Sequence, residues 1–180
     1  MQDTREGLTL GAPAPQFGGL PAATGGRISL ESFSGLRMLA VVFTANGCPT
    51  VRAFEPRLVR LQEAFADRGV SLVAINSNNP HLSPTDTLAE MTRRAAEGGY
   101  NFPYLKDADG AVAKAFGAVC TPHAFLLDAD RRLVYRGRIE DARLPANVTS
   151  KDLEAAIEDV LDGRRVKEPE TQPFGCSIVW

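Results

Sequence analysis

The chain has 180 residues with 20 Lys plus Arg against 22 Asp plus Glu, a net charge of −2, so no charge excess marks it for nucleic acid or an anionic surface. Its length suits one α/β domain with edge additions and is short of two independent cores. No run reaches the length of a membrane-spanning helix, and Met1–Gly7 lacks the basic-then-apolar layout of a secretory leader. Neither a nucleic-acid nor a membrane partner is expected, and the expected compartment is cytoplasmic, with the periplasm open if a leader was removed.

After a Gly/Pro-rich entry over 11–21, residues 38–44 (Met-Leu-Ala-Val-Val-Phe-Thr) form a continuous, β-branched apolar run, as a strand buried on both faces requires. The run passes through Asn46-Gly47 into Cys48-Pro49. Val51, Phe54, Leu58, Leu61 and Phe65 then recur at helical spacing up to Gly69, with Pro56 expected to kink the helix. Residues 70–76 read as a second buried strand, parallel to the first through a right-handed crossover. Ser83-Pro84-Thr85-Asp86 is expected to open a helix that stops at Gly98-Gly99. Residues 102–105 predict a short strand, 111–116 a short helix, and 123–128 with 133–138 an antiparallel hairpin. Ser150 is expected to cap a last helix whose apolar stripe is Leu153, Ala156, Ile157, Val160 and Leu161. Residues 1–166 are thus expected to form one domain, with 167–173 as a polar linker. The apolar end of a 167–180 tail is expected to dock back onto that domain.

Cys48, Cys120 and Cys176 are an odd number at wide spacing, neither a disulfide framework nor a zinc motif. With only His81 and His123 beside them, no metal site is expected. Cys48 stands where a strand turns into a helix. There, unpartnered backbone N–H groups and the positive end of the helix dipole favour thiolate over thiol, which makes Cys48 the expected nucleophile. His123 reads as a satisfied edge residue rather than a general base. Arg131-Arg132 reads as a solvated hairpin, and Asp107-Ala-Asp109-Gly110 as a turn.

Residues 43–49 (Phe-Thr-Ala-Asn-Gly-Cys-Pro), 73–78 (Val-Ala-Ile-Asn-Ser-Asn), 102–105, 116–122 (Phe-Gly-Ala-Val-Cys-Thr-Pro), 135–138 and Gly175-Cys-Ser-Ile178 together resemble the thioredoxin superfamily, in its peroxiredoxin-like AhpC/TSA (redoxin) branch. The resemblance implies a thioredoxin-like α/β fold, a central mixed sheet flanked by helices, with a cis peptide before Pro122 that brings Thr121 against the Cys48 turn. It implies thiol chemistry without a cofactor, with a small thiol or thioredoxin-like reductant and a disulfide- or peroxide-containing substrate as partners. Thr44, Asn46, Gly47, Pro49, Thr121 and Pro122 are the implied substrate-positioning residues.

Two departures qualify the likeness. Ala45 stands where that group usually has the first cysteine of Cys-x-x-Cys, so the local dithiol is broken. Peroxiredoxins carry Thr at that place and an Arg where this chain reads Thr121-Pro122, so both polar aids to peroxide activation are missing. Cys120 reads equally as a partner reached through the fold or a buried strand-end thiol. Cys176 reads as a resolving thiol or a packed anchor beside Trp180. Three functions follow: a thiol-dependent oxidoreductase using Cys48 with Cys120, Cys176 or an external thiol; a redox-degenerate binding module that pairs peptides beside Pro122; or a one-cysteine peroxidase.

Overall fold

The computed structural model describes residues 7–180; the leader reading of Met1–Gly7 falls largely outside them. A small antiparallel ladder, β1 (Leu20–Pro21) with β2 (Arg27–Ile28), precedes the first long strand, β3 (Met38–Thr44), which is buried along its whole length. Helix α1 (Pro49–Phe65) follows and continues through Pro56 as one element. Gly69, at φ 77°, turns the chain into β4 (Val70–Asn76), a left-handed conformation that glycine adopts without steric cost.

Helix α2 (Leu88–Glu97) begins later than Ser83-Pro84 suggests. Residues 84–86 make a separate 3₁₀ turn, Thr87 is extended at φ −69° and ψ 157°, and its hydroxyl accepts the Glu90 N–H at 3.4 Å to start the helix afresh. The cause is Asp86: its carboxylate is drawn inward by other donors and is not spent on its own helix. Strand β5 (Tyr104–Lys106), helix α3 (Ala111–Phe116), the hairpin β6 (His123–Leu127) with β7 (Leu133–Gly137), and helix α4 (Asp152–Leu161) complete the order. Lys151, not Ser150, holds the cap position of α4, because the Ser150 hydroxyl donates to Asp152 Oδ1 at 2.8 Å. Arg131 is not a solvated hairpin charge. At φ 57° it turns inward, and its guanidinium donates to the carbonyls of Phe33, Leu36 and Asp128, stapling the hairpin to the turn before β3. Among the described residues no helix is long and apolar enough to cross a membrane.

The sheet order is β5-β4-β3-β6-β7, with β3, β4 and β5 parallel and β6 and β7 antiparallel to their neighbours. Alternation along β3 divides the core. Leu39, Val41 and Phe43 face α3 and the N-terminal arm, whereas Met38, Ala40 and Val42 face α1, α2 and α4. Phe43, Phe116 and Phe125 form a triangle of edge-on rings with centroids 5.4–5.7 Å apart, each contact worth about 0.5–1.5 kcal/mol beyond burial. The antiparallel register Phe43↔His123 sets the start of β6 beside the end of β3. Thr121-Pro122, with a cis peptide bond, therefore lies next to the turn that leads into α1.

The C-terminal segment is a strap rather than a free linker. Arg136 on the outer edge of β7 donates its N–H to Pro169 O at 2.9 Å and accepts from Thr171 N at 3.1 Å, so that edge is covered. Phe174 meets Phe54 at 6.2 Å between centroids, Ile178 is buried in the core, and Asn79 N–H donates to Val179 O at 2.7 Å.

Candidate functional site

The site is assembled where β3, α1 and the start of β6 converge. Cys48 caps α1: its backbone is extended (φ −78°, ψ 117°), Pro49 occupies the first helical position, and the Cys48 sulfur accepts the Val51 N–H at 3.5 Å. Cys48 is 3% exposed, yet its sulfur does not sit in hydrocarbon alone. As a thiol it donates to the carbonyl of Thr121 at 3.3 Å. The Thr121 hydroxyl, buried and without a partner within ordinary hydrogen-bond distance among the described residues, faces the same sulfur. Burial alone would push the Cys48 thiol up. Hydrogen bonding outweighs it, from the Cys176 thiol, the Val51 amide, Thr121 and the Cys176 amide, and holds the thiol below its ordinary value.

Cys176 packs against the small cluster of Ala45, Cys48 and Val51. It is held there by a two-way backbone bridge, Thr121 N–H to Cys176 O at 2.9 Å and Cys176 N–H to Thr121 O at 3.0 Å. Burial, and next the hydrogen bond with Cys48 and its charge, push the Cys176 thiol up to about 11, while the Thr50 amide opposes this. Cys120 is tied in differently. Its thiol points to Pro122 O at 3.8 Å, and burial, with the Cys48 charge next, pushes it up to about 11. All three cysteines are unpaired.

The residues expected to position substrate divide by exposure. Gly47 and Pro49 are exposed on either side of Cys48, while Thr121 and Pro122 are buried beneath it. Thr44 is buried at the end of β3 opposite Asn76. Asn46 turns inward: its backbone N–H donates to Asp86 Oδ1 at 2.7 Å, its side-chain amide donates to Thr85 O at 2.8 Å, and its Oδ1 accepts from Tyr104 at 2.7 Å. It shapes the turn rather than facing a substrate.

Behind Asn46 lies a buried polar network that sequence reasoning did not find. Asp86 also accepts from Asn76 Nδ2 at 2.7 Å, Asn78 Nδ2 at 3.0 Å and Ser83 Oγ at 2.6 Å. Lys106 Nζ donates to Asn76 Oδ1 at 3.1 Å and to Asn78 O, and burial pushes its amine down to about 8. Asn78 Oδ1 accepts the Val179 N–H at 2.9 Å. One carboxylate therefore ties together the turn before Cys48 and the end of the strap. The only signal in the sequence was an unusual run of polar residues at the end of an apolar strand, 76–79.

His123 Nδ1 accepts the Val119 N–H at 3.3 Å and its ring lies 4.4 Å from Phe125. Burial, helped by Arg136, pushes it down to about 4, so it is neutral near pH 7. Asp107 closes its turn by accepting from Val112 N and Ala113 N at 3.3 and 3.0 Å, capping α3.

A five-stranded mixed sheet of this order, with a cysteine capping the helix after its central strand and a cis-proline beside it, defines a thioredoxin-like protein. A family model described as Redoxin matches residues 9–157, and the chain belongs to the redoxin family. It is 43% identical to a hypothetical protein from Sinorhizobium meliloti 1021 whose crystal structure superposes with a TM-score of 0.89, covering 96% of this chain and 95% of that one. The thioredoxin domain of a thiol-disulfide oxidoreductase from Bacteroides vulgatus, at 22% identity and a TM-score of 0.67 over 86% of this chain and 99% of that one, shares the fold. Thiol-disulfide oxidoreductase ResA from Bacillus subtilis (strain 168) is 25% identical over 130 residues, 72% of this chain and 68% of that protein.

Proposed function

We propose that this protein is a thiol-dependent oxidoreductase whose nucleophile is the Cys48 thiolate and whose substrate is a disulfide. The observation that carries the reading is the Cys48 sulfur itself, capping α1, bonded to the Val51 amide and held below the ordinary thiol value. Exchange begins when that thiolate attacks one sulfur of the substrate, forming a mixed disulfide and releasing the other sulfur as a thiolate. A second thiol then attacks Cys48 and frees the remaining half. A small thiol or a thioredoxin-like dithiol restores the reduced state. Likeness to ResA, named for thiol-disulfide exchange, supports the same direction.

A peroxide substrate fits less well. Breaking an O–O bond leaves an oxyanion that needs preorganised donors, and the side chain at Ala45 provides none. The Thr121 carbonyl 3.3 Å from the Cys48 sulfur is an acceptor, which leaves the Thr121 hydroxyl as the one side-chain hydroxyl facing that sulfur. A peptide-binding module would use the backbone of Thr121 for strand-like pairing, and Cys176 already occupies that backbone. Turnover of insulin disulfides and of hydrogen peroxide by the full chain and by Cys48→Ser tests the reading. Disulfide reduction lost in the variant is the expected result. Equal rates in the two proteins would remove Cys48 from the chemistry.

A further inference from the structure

Ala45 leaves the Cys48 turn with one thiol, and the fold brings a second to the same helix end. Strap residues Phe174, Cys176 and Ile178 pack inward while Gly175 and Ser177 between them are exposed, so the strap runs extended past the site with Cys176 pointing in. We infer that Cys176 is the partner thiol of Cys48, forming a dithiol centre assembled across the fold that alternates between two thiols and a Cys48–Cys176 disulfide. This rests on the reading of Cys48 as nucleophile.

Three features of the geometry carry the inference. The Cys48 sulfur at 3.3 Å and the Cys176 backbone nitrogen at 3.0 Å meet on one atom, the Thr121 carbonyl oxygen. Cys48 takes the Val51 amide in the first turn of α1, and Cys176 packs against that same turn, on Ala45, Cys48 and Val51. The approach of the strap requires glycine: Gly175 has φ 151°, and a Cβ there would lie 1.9 Å from Thr121 O. Cys120 has none of these features.

The electrostatics give the steps an order. Of the two thiols Cys48 is held lower and Cys176 higher, so Cys48 ionises first while Cys176 keeps its proton, partly because the Cys48 charge lies beside it. Attack by Cys48 on a disulfide R–S–S–R′ forms Cys48–S–S–R and releases R′S⁻, which takes up a proton. The negative charge at Cys48 is then gone, and with it one cause that kept Cys176 protonated. Cys176 loses its proton and attacks the Cys48 sulfur, the S–R bond breaks, and RS⁻ leaves to be protonated. The substrate gains two electrons and the two cysteines lose them. An external dithiol reverses the change.

The test oxidises the full chain with an equimolar amount of oxidised glutathione, then alkylates it and digests it with trypsin, which places the cysteines on separate peptides, 38–52, 115–131 and 168–180. The expected product joins the first and third. Cys176→Ser should stop at a glutathione adduct on Cys48, and Cys120→Ser should behave as the wild type. Gly175→Ala, which alters no thiol, should lose the same link by displacing the strap. A Cys48–Cys120 link, or a wild-type protein that keeps glutathione on Cys48 while Cys176 is alkylated, overturns the proposal. If that happens while Cys48→Ser has lost disulfide turnover, the partner assignment alone fails. If Cys48→Ser turns over normally, the nucleophile reading fails with it.

Discussion

Asp86→Asn probes the link between the buried network and the Cys48 turn. Asp86 is 1% exposed and accepts from Asn46, Asn76, Asn78 and Ser83. Burial opposes its charge, but those donors outweigh burial and hold the carboxyl below the usual carboxylate range. The substitution keeps the shape and turns one acceptor oxygen into a donor aimed at donors. A hydrogen bond to a charged group is worth about 1.5–3 kcal/mol, and breaking a buried charged cluster costs about 3–5 kcal/mol. In a chain of this length that corresponds to a fall of roughly 10 °C in Tm. Urea unfolding at neutral pH measures the loss, and the rate of Cys48 alkylation measures the effect on the turn. Because the folded carboxyl titrates below its unfolded value, the stabilisation is full at neutral pH and is lost as pH falls through the folded value. A loss smaller than about 1 kcal/mol with unchanged Cys48 reactivity would refute the assignment of Asp86 as the hub.

Three further outcomes follow. His123 is neutral in the folded protein down to about pH 4 but takes a proton near 6.5 when unfolded, so the unfolded state binds more protons between those values. Stability should fall on acidification across that window by up to about 3 kcal/mol, and the difference should vanish in His123→Gln, read by urea unfolding at several pH values. Cys120→Ser should leave disulfide turnover within about twofold of wild type, since a change of that size is under 0.5 kcal/mol; a loss of the size seen with Cys48→Ser would return Cys120 to the chemistry. Gly137→Ala places a Cβ 2.4 Å from Thr171 O at φ 146°; it should lift the base of the strap and speed Cys48 alkylation, measured by mass spectrometry. An unchanged rate would show that the strap does not cover the thiol from that end.

The central layer was legible because its signals are local. The unbroken apolar run of β3, the helical spacing from Val51 to Phe65 and the glycine at 69 each state one element and its end. Cys48 was legible for the same reason, since a cysteine between a strand and a helix is placed by those two elements alone. What was missed depends on distant partners. Asp86 reads as a helix-start residue until Asn46, 40 positions earlier, claims its carboxylate. Ser150 reads as a cap until Asp152 takes its hydroxyl. Residues 167–173 read as a linker because Pro169, Glu170 and Thr171 find partners on Arg136, far back in the chain. Sequence spacing also left open whether Cys120 or Cys176 comes near Cys48, because the inward alternation of 174, 176 and 178 is readable only once the strap is known to be extended.

The most direct measurement is the ultraviolet absorbance of thiolate as a function of pH, taken as the difference between the full chain and Cys48→Ser. Cys120 and Cys176 stay protonated to about 11, so Cys48 alone should ionise at lower pH. The expected midpoint lies below that of an ordinary thiol. A difference signal that rises only at or above the ordinary thiol value would contradict the account.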